Sequence, residues 1–251
     1  MKAAPFSYVR PESLEDALGV LAEHGDECRP LAGGQSLIPL LVMRLAQPAV
    51  LLDLGRLTTL RGLDGPRIGA MTTNSDLERR PDAIPPVIAA ALPHIGHFQI
   101  RNRGTVGGAL AHCDPAGEWP ALALALDARM RLRSTRGERI VGAAEFIVGP
   151  LTTALAADEL LIDVELPHWA QSAPFGFEEV ARRPGDFALA GAICVAAPEG
   201  RRLVLFGGGE VPVLLGDPGS RFAVSGDLHA GRGYRRRLAE GLLKRAWEAA
   251  A

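Results

Sequence analysis

The stretch RPLAGGQSLIPLL, residues 29–41, constrains the fold more than any other part of the chain. An apolar approach and an apolar exit are joined by Ala32-Gly33-Gly34-Gln35-Ser36, so the backbone must turn tightly between a strand and the start of a helix. Side chains this small let successive N–H groups converge. A helix start adds further donors and the positive end of a dipole, and the combination suits a phosphate. The same residues also make a plain structural turn, because a short glycine motif is weak evidence of a ligand without its context. Two nucleotide motifs are excluded. Gly34 is followed by Gln-Ser, with no lysine to reach a terminal phosphate as in a Walker A loop, and the spacing is not GxGxxG.

The surrounding pattern is α/β. FSYVRP alternates as a strand and stops at Pro11, Ser13 is placed to cap the helix LEDALGVLAEHG, and Gly25 closes it. AVLLDLG reads as a buried strand. A second region offers a hairpin at Asp64-Gly65-Pro66, a helix entry at Thr72-Thr73-Asn74-Ser75-Asp76 and an apolar helix in IPPVIAAALPHIG. It continues as a sheet with helices on one face. A third region carries strands in FGFEEVARR, ALAGAICVAA and RLVLFGGGEVPVLL, then a glycine-rich stretch over 207–233 and the helix YRRRLAEGLLKRAWEAA. The expected units are residues 1–55, 56–170 and 171–251, the first two α/β and the last a small α+β domain.

Composition narrows the function. With 27 basic and 29 acidic side chains among 251 residues, the formal charge is −2, and no basic footprint for nucleic acid is present. No run of apolar residues is long enough to span a bilayer. Cys28, Cys113 and Cys194 are widely spaced, too few for a four-thiolate cluster and without a disulfide framework, which favours a reducing cytoplasm. His112-Cys113-Asp114 reads as a loop rather than a metal site, since adjacent residues do not converge as tetrahedral ligands. Ser36, His97 and Asp114 contain the side chains of a hydrolytic triad but lack a nucleophile-elbow GxSxG, so no catalytic or metal residue is assigned.

A second stretch, RNRGTVGGALAHCDPAGEWPAL, repeats the device of the first. Gly104, Gly107 and Gly108 with Thr105 are expected to form another glycine turn whose N–H groups and hydroxyl grip a diphosphate from the opposite side. Ten residues past Gly108 stands Glu118, either a carboxylate for a ribose or ribityl hydroxyl or an ordinary first-turn helix acid.

LAGGQSLIPLL, IRNRGTVGGALAHCDPAGEWPALALALDA and VARRPGDFALAGA, in this order, resemble the signature stretches of the FAD-binding medium subunit of molybdenum hydroxylases. This is the carbon monoxide dehydrogenase flavoprotein family, similar to the FAD-binding domain of xanthine dehydrogenase. The resemblance implies a PCMH-type FAD-binding fold with an abbreviated C-terminal domain. It implies that Leu31, Ala32, Gly33, Gly34, Gln35, Ser36, Leu37 and Ile38 wrap the FAD pyrophosphate and that Thr105, Val106, Gly107, Gly108 and Ala109 close from the other side. Glu118 corresponds to a ligand of a cofactor hydroxyl, Leu161 to an apolar residue beside the flavin ring, and Asp186 and Phe187 to a loop near the isoalloxazine. Some members carry a lysine where this chain has Glu178. Implied partners are a large molybdopterin-binding subunit and a small subunit with [2Fe–2S] clusters, assembled as a dimer of heterotrimers. A stand-alone flavoprotein oxidoreductase and a non-catalytic module of the same fold are the alternatives.

Overall fold

The structure, a computed structural model, describes residues 2–251. The N-terminal part runs β1 (Ser7–Val9), α1 (Leu14–His24), β2 (Cys28–Leu31), α2 (Leu37–Val42) and β3 (Val50–Asp53), with β3 between β1 and β2 in a parallel sheet. The caps of α1 are those the sequence specifies. The Ser13 hydroxyl accepts from the Asp16 N–H at 3.0 Å, and Gly25, at φ +49°, donates its N–H to the Leu21 carbonyl. Ala17, Leu18 and Leu21 lie on the buried face and meet Val50 and Leu52 of the sheet.

The central part contains β4 (Leu63–Asp64), β5 (Arg67–Gly69), α3 (Asn74–Glu78), α4 (Pro86–Ala91), α5 (Phe98–Arg101), α6 (Val106–His112) and α7 (Glu118–Ala125). It continues through β6 (Arg129–Ser134), β7 (Gly137–Gly142), α8 (Ala143–Phe146), β8 (Ile147–Gly149), β9 (Thr152–Thr153) and β10 (Leu160–Glu165). Strands β4-β5-β10-β6-β7 make an antiparallel sheet, and β8 pairs with β9 alone. Every residue of α7 is buried, which is why WPALALAL shows no polar face. Strand β10 is the wall between two cores. Leu160 and Ile162 pack with β1–β3 and α1, whereas Leu161 and Val164 pack with α4, α6 and α7. The parity flips because the register with β6 shifts between Leu161 and Asp163, a bulge that turns Val164 to the face its position would otherwise miss.

The C-terminal part is an antiparallel meander, β11 (Phe175–Ala181), β12 (Ala188–Ala197), β13 (Gly200–Phe206) and β14 (Val213–Leu215), backed by α9 (Arg232–Ala249). Residues 216–231 cross from sheet to helix without a helix of their own, as their glycine content suggests. Strand β12 is buried on both faces. Its small residues Ala190, Ala192 and Cys194 receive α9, and Ile193 and Val195 fill the central core. The helix sits so close that a Cβ on Gly176 of β11 would lie 2.1 Å from the Ala246 carbonyl oxygen. Gly176→Val therefore destabilises the protein by on the order of 2–3 kcal/mol in denaturant melts, because helix backbone, not a side chain, would have to move.

Candidate cofactor site

The loop between β2 and α2 is built to present its backbone. Gly34 adopts φ +76°, a conformation that residues with a Cβ rarely enter. Gly33 is required for a different reason. A Cβ there would lie 2.1 Å from the carbonyl oxygen of Arg103 and 2.9 Å from Cα of Gly104. The first glycine stretch is thus packed, backbone on backbone, against the second. The Gln35 side-chain amide donates to the Gly33 carbonyl at 3.1 Å and fixes the loop from within. The N–H groups of Gly33, Gly34, Gln35 and Ser36 have no acceptor among the described residues. Four consecutive unspent donors in a glycine loop are the kind of feature that suits an anion.

The second stretch differs from its expected form. Gly107 and Gly108 are in the first turn of α6, not in a loop, and Thr105 is the residue that caps it. Its donors are spent inside the protein: the Val106 N–H on the Thr72 carbonyl at 3.0 Å, Gly107 on Ala70 at 2.8 Å, Gly108 on the Thr105 hydroxyl at 3.1 Å and Ala109 on the Thr105 carbonyl at 3.0 Å. The glycines serve packing. A Cβ on Gly107 would lie 2.4 Å from Cβ of Ala70, and one on Gly108 would lie 3.3 Å from Cβ of Ala32 in the first loop. From Val106 to Ala109 the second stretch therefore offers the first loop a close-packed wall rather than donors, whereas the N–H of Thr105 has no acceptor among the described residues.

Asn74, whose role the sequence did not reveal, holds this wall. Its N–H donates to the Gly104 carbonyl at 3.0 Å, and its side-chain oxygen accepts from the Trp119 indole at 2.8 Å. It therefore ties the approach to α6 to the start of α7. The motif that contains it, Thr73-Asn74-Ser75-Asp76, forms the capping box of α3, so only the helix entry was readable.

The remaining candidate residues lie on three separate elements. Leu161 is buried in β10, beneath α6. Asp186 and Phe187 lie in the turn after β11, with the Phe187 ring 59% exposed. That turn rests on the start of α5, since a Cβ on Gly185 would lie 2.5 Å from Nδ1 of His97. Helix α5 leads directly to Arg103 and Gly104, and so to Gly33. Glu118 opens α7 and is 5% exposed. Burial is the main cause that pushes its carboxyl up to about 7, with the Asp114 charge adding to the shift. Glu178, at the position where a lysine occurs in some members of the resembled family, is paired with Arg245 of α9 at 2.9 Å.

Residues 4–169 match the family described as the FAD binding domain in molybdopterin dehydrogenase. The chain belongs to this family. The nicotine 6-hydroxylase medium subunit of Paenarthrobacter nicotinovorans is 44% identical over 211 residues, 81% of this chain and 73% of that one. The caffeine dehydrogenase subunit beta of a Pseudomonas strain is 40% identical over 225 residues, 85% and 76% of the two chains. A solved carbon monoxide dehydrogenase chain from Hydrogenophaga pseudoflava superposes with a TM-score of 0.91 at 32% identity, covering 100% of this chain and 98% of that one. The α/β plus α+β flavoprotein fold expected from the sequence is therefore correct. As a member of the molybdopterin dehydrogenase FAD-binding family, the chain is an FAD-dependent oxidoreductase subunit. No helix among the described residues is long and apolar enough to cross a membrane.

Proposed function

We propose that this chain is the electron-transfer subunit of a heteromeric molybdenum hydroxylase. Electrons pass from the [2Fe–2S] clusters of a small partner subunit through its FAD to a terminal acceptor. A large partner subunit oxidises the substrate at a molybdopterin centre, and the whole assembles in the cytoplasm as a dimer of heterotrimers. The observation that carries this reading is the row of free N–H groups at Gly33–Ser36, walled by Arg103 and Gly104. A diphosphate matches such a row, and a long dinucleotide matches a site assembled from separate stretches of chain. Relatives named as medium subunits of hydroxylases and dehydrogenases support the assembly. The three cysteines of this chain are buried and apart, so clusters belong to partners.

FAD, when bound, exchanges electrons singly or in pairs, and the protein's contribution is binding and orientation. Leu31, Ala32, Leu37 and Ile38 frame the N–H row. Gly33, Gly34, Gln35 and Ser36 donate to the pyrophosphate. Val106, Gly107, Gly108 and Ala109 form the opposing wall through shape rather than donors, and Thr105 adds one N–H that no acceptor among the described residues takes. Glu118, when ionised, accepts from a cofactor hydroxyl. Leu161, Asp186 and Phe187 border the ring. Glu178 is an acid held by Arg245, so this position supplies no cation to a reduced flavin.

Purified chain is expected to be yellow, to release FAD on denaturation and to be bleached by dithionite. A colourless chain that takes up no FAD on reconstitution contradicts the reading. Pull-down from the native host is expected to bring cluster-containing and molybdenum-containing partners. A solitary chain whose flavin is reduced directly by a substrate would instead make it a stand-alone oxidoreductase.

A further inference from the structure

The loop proposed to hold the diphosphate and the turn proposed to border the ring rest on the two ends of one short helix, α5. At its start, a Cβ on Gly185, in the turn after β11, would lie 2.5 Å from Nδ1 of His97 and 3.0 Å from the carbonyl carbon of Gly96. At its end, α5 runs into Arg103, whose carbonyl oxygen would lie 2.1 Å from a Cβ on Gly33. Each approach is that close because the position is glycine, and close packing leaves little play between turn, helix and loop. The separation of the free N–H row from Asp186 and Phe187 is therefore set by how α5 is held.

Helix α3 holds it at both ends. The first residue of α3, Asn74, donates its N–H to the Gly104 carbonyl at 3.0 Å and so fixes the diphosphate end. The last, Glu78, reaches the other end through Arg101. Nε of Arg101 donates to Glu78 Oε1 at 2.7 Å, and its Nη1 donates to the Gly96 carbonyl at 2.8 Å, beside the point where Gly185 packs. The Arg101 and Glu78 side chains are 16% and 27% exposed, so water competes weakly for these bonds. A planar guanidinium suits the task, since it presents two donors in a fixed fork, whereas an ammonium is a single point of charge. Helix α5, at four residues, is too short to hold its own shape, and the clamp does this for it.

We propose that Arg101 is a positioning residue that fixes the span between the diphosphate loop and the turn of Asp186 and Phe187, so that the site selects the whole dinucleotide over its ADP half. The proposal rests on the FAD reading above, including the place of the ring beside that turn. A ligand with two linked halves gains affinity from the second half according to how well the two subsites match its length. With the Arg101 fork in place, both subsites are held at one separation. Without it, the Gly96 carbonyl and the turn packed on it shift relative to α3, while Gly104 stays bonded to Asn74 and the N–H row keeps its wall. ADP, which needs the row alone, is then bound as before, and the gain from the flavin half is lost.

Calorimetric titration of the flavin-free full chain with FAD and with ADP, in wild type, Arg101→Gln and Arg101→Lys, tests the span. Arg101→Gln should bind ADP within about twofold of wild type and FAD at least about tenfold more weakly. Arg101→Lys keeps a cation opposite Glu78 but lacks the fork, and its ratio of FAD to ADP affinity should fall with that of Arg101→Gln. A substitution that merely loosened the protein would weaken both ligands by the same factor. Such parallel losses, or a wild-type ratio in either variant, overturn the role of Arg101. Should Arg101→Gln fail to fold, the ratio in Arg101→Lys decides alone. A wild type that binds ADP but no FAD overturns the FAD reading, and the span falls with it.

Discussion

Replacing Gly33 by alanine, the smallest possible change, is expected to weaken FAD binding by about a hundredfold, or roughly 3 kcal/mol. The expectation follows from where the new Cβ must go. It would lie 2.1 Å from the Arg103 carbonyl oxygen, 2.8 Å from its carbonyl carbon and 2.9 Å from Gly104 Cα, all of them backbone atoms. The Gly104 side of the contact is pinned, because its carbonyl accepts from Asn74 and its N–H donates to the Ile100 carbonyl. The first loop must therefore lift away from its wall, carrying its four free N–H groups with it. Gly19→Ala, in the exposed face of α1 with nothing within 4 Å of the added carbon, is the control and should leave binding unchanged. Equilibrium titration followed by flavin fluorescence measures both. Affinity of Gly33→Ala within about threefold of wild type would mean that the loops can separate without loss of the site.

The second large effect is on the pH dependence of stability. The carboxyls of Glu118 and Glu179 stand at about 7 and about 8 in the folded chain, against 4.5 for an ordinary glutamate, chiefly because of burial. An acid whose folded value is raised binds more protons folded than unfolded, so its contribution is fully present below the unfolded value. It is lost as pH rises through the folded value, which here sets a window from pH 4.5 to about 8. Glu179→Gln removes one of the two titrating groups. Its melting temperature relative to wild type should accordingly rise from pH 4.5 to pH 8.5 by on the order of 5 °C, a few kcal/mol in a chain of this size. Thermal melts across that range measure it. A difference that stays constant with pH would show that Glu179 ionises freely in the folded protein.

The elements that obey local rules were legible in the sequence. Ser13 and Gly25 bound α1 through their own side chain and backbone conformation, and the Asp64-Gly65-Pro66 turn joins β4 to β5 because a short hairpin needs such residues. The turn at the first glycine stretch was equally readable, since the φ of Gly34 and the Gln35–Gly33 hydrogen bond are local, whereas the backbone of Arg103 that requires Gly33 was not. The second was misread as a turn. Gly107 and Gly108 read locally as breakers, but they are glycine because Ala70 and the Thr105 cap leave no space beside the helix. At Gly107 the pressure comes from Ala70, far away in sequence, and at Gly108 from Ala32 as well as the nearby cap, so no local pattern carries it in full. The double life of β10 was hidden for the same reason, because a run of apolar residues shows burial but not which core each side chain enters. Glu179 did leave a trace. In FGFEEV it alternates with Phe175 and Phe177, so a carboxyl on the apolar face of β11 was implied by period two alone.

The proposed role of the free N–H row at Gly33–Ser36 is to receive the diphosphate of FAD. Amide chemical shifts of the isotope-labelled chain, followed while FAD or riboflavin is added, test it most directly, because riboflavin carries the same ring without the diphosphate. The amide resonances of Gly33, Gly34, Gln35 and Ser36 should move on addition of FAD and stay in place with riboflavin. FAD that binds with these four amides unmoved, or riboflavin that binds as tightly as FAD, would contradict the account.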